Sequence, residues 1–101
     1  MSDEKITVII DPELEELIPG FLENRSKDVQ KLKTASEKKD FETLRSTGHS
    51  LKGVGGGYGF DGITEIGAEI EAFAKVGDLV KIIENITALE EYLNKIEIKF
   101  E

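Results

Sequence analysis

Four times along this chain of 101 residues, apolar side chains recur at the spacing of a helix, and turn chemistry bounds each recurrence. A period of three to four puts one stripe on one face of an α-helix, so such a chain buries four stripes against one another. The first stripe is Phe21, Leu22, Val29, Leu32 and Ala35, on a helix predicted from Pro19 to about Glu37. Lys38-Lys39-Asp40 makes a tight turn, the lysines closing one helix and Asp40 capping the next. The second stripe is Leu44, Leu51, Val54 and Tyr58, on a helix that runs into Gly55-Gly56-Gly57 and ends near Gly59. Asp61 is expected to cap the third helix, with Ile63, Ile66, Ile70 and Phe73 inward. Gly77-Asp78 pairs a stop with a new start, and the last stripe is Leu79, Ile82, Ile83, Ile86, Leu89, Leu93 and Ile96.

A shorter element comes before these. Asp11-Pro12 is a helix start, with Glu13, Glu15 and Glu16 near the positive end of the dipole. Leu14, Leu17 and Ile18 are expected to face inward, and Pro19 to break the helix after Ile18. Ile6 to Ile10 is β-branched and should lie extended against the body, behind a polar Met1 to Lys5. The fold class predicted is all-α: an antiparallel up-down four-helix bundle with a short extra N-terminal helix. The bundle takes residues 11–101, and residues 1–10 form a partly extended leader.

Composition narrows what such a bundle can do. Hydrophobic residues at 39% and charged residues at 34% are the balance of a globular domain, and the length suits one modest core. No apolar run approaches the roughly 20 residues of a membrane span. The absence of cysteine excludes disulfides and thiolate zinc sites, and fits a cytoplasmic location. A net charge of −8 argues against a nucleic-acid partner. With no obvious exposed apolar stripe, a monomer is expected.

The single histidine, His49, stands in Gly48-His49-Ser50-Leu51-Lys52-Gly53. With Leu51 at the centre of its stripe and about 100° per residue, His49 falls about 160° away, nearly opposite the core. Gly53 and Gly56 share that outer face, with Arg45 and Lys52 flanking. Neutral imidazole is a nucleophile that is available near neutral pH. A phosphoryl group on its ring would bring about two negative charges, which Lys52 and Arg45 can offset. Gly53 leaves room for a partner's active site to close over the ring, and Gly48 and Gly56 extend the same small-residue docking surface.

Plainer readings stand beside these. His49 is by spacing alone an ordinary surface histidine, and Lys52 a solvated charge. Arg45 could equally pair with Glu42. Phe60 is expected to fold back under its turn. Ser46, Thr47 and Ser50 read as surface fillers, since no base is placed to activate them. A metal site is disfavoured, because no carboxylate lies three or four residues from His49.

The run Gly48-His49-Ser50-Leu51-Lys52-Gly53, followed by Gly59-Phe60, Ile70-Glu71 and Gly77-Asp78, resembles the histidine phosphotransfer (HPt) family of two-component signalling. Asp11-Pro12-Glu13-Leu14 is similar to the lead-in helix of some members. Gly48 stands where alanine is frequent, and Val54 and three glycines follow Gly53 where small polar residues are usual. The resemblance implies that His49 accepts a phosphoryl group from a receiver-domain aspartate and passes it to another. It implies a phosphocarrier that binds no cofactor itself, with Mg²⁺ in the partner receiver. The partners implied are a response-regulator receiver domain, a hybrid histidine kinase, or both. Two alternatives remain: a phosphoaccepting domain of a chemotaxis-type kinase, and a receiver-binding module without phosphotransfer.

Overall fold

Three aspartates begin segments by accepting a backbone N–H: Asp11 from Glu13 at 2.9 Å, Asp40 from Thr43 at 3.1 Å and Asp78 from Lys81 at 3.2 Å. In the computed structural model, which describes residues 4–101, these caps frame a mostly helical chain. Strand β1 (Ile6–Ile10) leads into a 3-10 turn, Pro12–Leu17. Helices α1 (Ile18–Glu37), α2 (Phe41–Gly55), α3 (Asp61–Val76) and α4 (Leu79–Lys95) follow, and strand β2 (Ile96–Phe100) ends the chain. Residues 1–3 of the polar leader lie outside the described residues.

Sequence and structure differ at several boundaries. The helix expected from Pro19 begins one residue earlier, at Ile18, and Pro19 sits in its first turn, where its missing N–H has no partner to lose. Leu17 ends the 3-10 turn, whose phase differs from that of a helix, and is 53% exposed rather than inward. The cap of α3 is Phe60, not Asp61. Phe60 is fully buried and stacks on Phe21 with ring centroids 5.1 Å apart. Its carbonyl already accepts from Ile63 N–H at 3.0 Å, which moves the helix start back one residue. Asp61 then lies in the first turn, beside the helix's positive end. Ile83 is 47% exposed, because Ile82, Ile86 and Leu89 take the core line of α4.

The all-α expectation needs one amendment. β1 and β2 pair in parallel, from Ile6 opposite Ile96 to Ile10 opposite Phe100. Ile96 therefore opens a strand instead of closing a helix. The run Ile96-Glu97-Ile98-Lys99-Phe100 alternates with the period of two that a half-buried strand requires. Val8 and Ile10 of β1 are buried in the same core cluster that holds Leu32, Leu44, Leu51, Ile63, Ile70, Ile82 and Leu89.

The helices contact in a ring, α1 with α2 and α4, and α3 with α2 and α4; the seam between α2 and α3 is the most extensive. Glycine sets its depth. A Cβ on Gly67 would lie 2.6 Å from the backbone N of Lys52, and one on Gly48 2.7 Å from the backbone N of Glu71. The two backbones thus meet with no side chain between them. That approach decides what reaches His49.

Candidate functional site

His49 sits on the outer face of α2 with 66% of its side chain exposed. Its ring is not free, because Nδ1 lies 3.0 Å from Oε2 of Glu71 on α3. Glu71 is a near-buried carboxylate, its side chain 10% exposed. Its other oxygen, Oε1, is 2.9 Å from the Lys52 ammonium, and the Lys75 ammonium stands 3.9 Å from Oε2. A carboxylate this withdrawn from water needs its charge met. The Lys52 hydrogen bond holds Glu71 below the usual carboxylate range, burial works against it, and the His49 contact adds to the lowering.

The tautomer of His49 follows from that charge state. An ionised carboxylate has no proton to give, so Nδ1 of the neutral ring must donate the N–H. Nε2 then carries the lone pair, on the side of the ring away from Glu71 and toward solvent. A one-carboxylate brace of this kind fixes the ring's orientation and leaves one nitrogen nucleophilic.

The other residues singled out in the sequence take different places around this contact. Lys52 joins His49 through Glu71 rather than by direct contact. Gly53 is exposed, and a Cβ added there would meet nothing within 4 Å; Gly56 is exposed in the short 3-10 turn that follows α2. Arg45 is ion-paired with Glu42, which raises its pKa, and so takes the plainer of its two readings. Gly48 needs correction as a docking residue: it is buried, and its role is to let α2 meet α3. Ser46 donates its hydroxyl to the Thr43 carbonyl, as a surface filler does.

Glu71 and Gly67 have no role assignable from sequence alone. Glu71 lies beside the Ile63–Ile70 stripe rather than on it, and a charged residue at a stripe's flank reads as solvated. The usable signal is the combination: Gly67 one turn before Glu71 on one helix, and Gly48 beside His49 on the other. Beyond His49, the exposed face of α2 runs past Gly53 to a groove between α1 and α2, lined by Leu17, Phe21, Arg25, Val54 and Tyr58.

Neither a curated protein nor a solved structure matches the chain. A family model, Hpt domain, matches residues 16–98. That span holds all four helices, His49 and the Glu71 brace, and the chain belongs to the Hpt domain family, whose work is histidine phosphotransfer in phosphorelay signalling.

Proposed function

We propose that His49 is the phosphoacceptor and that it exchanges a phosphoryl group with aspartates of response-regulator receiver domains. The observation that carries this is the exposed imidazole whose Nδ1 is engaged by Glu71, leaving Nε2 as the nucleophile. In the transfer, the Nε2 lone pair attacks the phosphorus of the receiver's aspartyl phosphate. The N–P bond forms as the P–O bond breaks, and the aspartate carboxylate leaves with the electron pair. The ring becomes cationic as the bond forms, and the Glu71 carboxylate on Nδ1 stabilises that charge. The reverse reaction hands the group to a second receiver.

Lys52 supports this in two ways. It keeps Glu71 ionised, and it offsets the Glu71 charge that would otherwise repel an arriving phosphoryl group. The divalent cation of the reaction belongs to the receiver's acidic pocket. The docking surface is the outer face of α2, over His49, Gly53 and Gly56, with the groove beside Val54 taking apolar side chains of the partner. An antiparallel up-down course for the four helices fits the short turns and the ring of neighbouring contacts. No helix among the described residues is long and apolar enough to cross a membrane. The proposed place of action is the cytoplasm, beside the receivers.

The test is phosphotransfer from a panel of phosphorylated receiver domains to wild type and to His49→Gln. Acid-labile, base-stable label on the wild type alone supports the reading. Label only from an ATP-loaded kinase domain reassigns the chain as a kinase's phosphoaccepting domain. Absence of label from both sources leaves a receiver-binding module.

A further inference from the structure

The sheet formed by β1 and β2 has two strands among the described residues, so β2 presents an open edge. The phase of the ladder is fixed by Glu101, which donates its N–H to the Ile10 carbonyl at 3.1 Å. In a parallel pair alternate residues turn to the partner strand. Glu97, Lys99 and Glu101 therefore face β1. Ile98 and Phe100 turn both backbone groups, and Ile96 its carbonyl, to the open edge; the Ile96 N–H is taken by the Tyr92 carbonyl at the end of α4. Ile96, Ile98 and Phe100 are only half-buried on the core side, while Glu97 and Lys99 are exposed on the other. A parallel two-stranded sheet is a weak element when it stands alone, and an unpaired edge recruits strands.

We propose that this edge pairs with β2 of a second copy of the chain, antiparallel about a two-fold axis at Ile98, giving a continuous four-stranded sheet. The sequence of the strand selects that register. With Ile98 opposite its own copy, Glu97 faces the other protomer's Lys99 and Lys99 faces its Glu97. Ile96 faces Phe100, and the outward backbone groups of Ile98 meet as a hydrogen-bonded pair. Sliding by one residue on each strand sets Glu97 against Glu97, or Lys99 against Lys99, and like charges directly opposite are destabilising. Keeping the core faces of both copies on one side of the sheet also allows centres at Ile96 and Phe100, but these slide the strands toward their ends and pair fewer strand residues. Edge charges usually deter pairing; here their order makes the strand complementary to itself. The interface is isologous, as a closed dimer requires. It departs from the monomer expected from the helical stripes, because the surface responsible is a strand edge.

Sedimentation equilibrium on the full chain over a wide concentration range tests this, with no phosphorylation in the readout. The result expected is a concentration-dependent dimer in the wild type. Lys99→Glu, which sets acidic residues opposite each other twice, should weaken it about tenfold. The double exchange Glu97→Lys with Lys99→Glu should restore it, which a misfolded single variant would not allow. A wild type that stays monomeric to about 1 mM, or a dimer that Lys99→Glu leaves unchanged, overturns the proposal. In the first case the edge is left to solvent or to a strand of another protein.

Discussion

Nδ1 of His49 and Oε2 of Glu71 stand 3.0 Å apart across two helices. In the proposed transfer this contact selects the nitrogen that reacts, fixes the ring's angle, and supplies a counter-charge for the cationic ring. Replacing Glu71 with Gln keeps the shape and removes the charge. Phosphotransfer to His49 in Glu71→Gln should slow by about tenfold to a hundredfold. Single-turnover kinetics give the rate, and imidazole ¹⁵N shifts should report a mixed tautomer in the variant. An unchanged tautomer with an unchanged rate would remove Glu71 from the mechanism.

The same carboxylate makes stability depend on pH in a defined direction. Glu71 is held below its ordinary range in the folded chain by the Lys52 hydrogen bond. Its contribution is therefore fully present above the unfolded carboxylate's titration, near 4.5, and is lost as pH falls through the lower folded value. Urea midpoints of wild type and Glu71→Gln should differ at neutral pH and converge as the solution is acidified below about pH 4. A constant gap over that range would mean that Glu71 does not titrate with folding.

Lys52→Ala takes away the first cause of the Glu71 shift. The Glu71 pKa should rise toward the ordinary range in this variant, as followed by carboxyl ¹³C chemical shifts. Transfer should slow severalfold, less than in Glu71→Gln, because Nδ1 keeps its acceptor. A rate at or above that of the wild type would make Lys52 a bystander.

Two glycines in neighbouring helices should respond oppositely to alanine. Gly67→Ala drives a methyl into the Lys52 backbone and should cost about 1–3 kcal/mol. Gly53→Ala meets open space and should gain up to about 1 kcal/mol from helix propensity. Thermal melts of both variants, measured together, check the pair. Equal effects would mean that the helix seam is looser than the contact distances imply.

Gly53→Glu puts bulk and negative charge beside His49 on an exposed face. Helicity by circular dichroism should be unchanged while transfer from a cognate receiver falls by at least about a hundredfold. A loss of helicity would show that this face is not free; full transfer would move the docking surface elsewhere.

The four helices are legible in the sequence because stripes and caps are local: Asp40, Gly77 and Asp78 announce themselves within a few residues of the bonds they make. The exposure of His49 and the burial of Phe60 follow from phase and from the turn. What stays hidden is non-local. The Glu71 brace needs α3 to lie against α2 at backbone distance, and no spacing within either helix reveals that. The place of Gly48 beside His49 suggests docking, although its own angle on the helix faces α3. The β1–β2 pairing escapes a local reading because Ile96 continues the helical stripe of α4 and the strand's partner lies at the far end of the chain.

That pairing has a consequence for how the molecule assembles. Helix contacts between chain neighbours close small loops, whereas bringing Ile6 beside Ile96 closes a far longer one that contains all four helices. Loop entropy sets that step last, after the bundle has drawn the two ends together, and hydrogen exchange at Val8 and Lys99, whose N–H groups face the ladder, should outpace that at Leu44 or Ile70. On that order the ribbon is expected to act as a late clasp, closing Val8 and Ile10 onto a core that the helices have already begun to form.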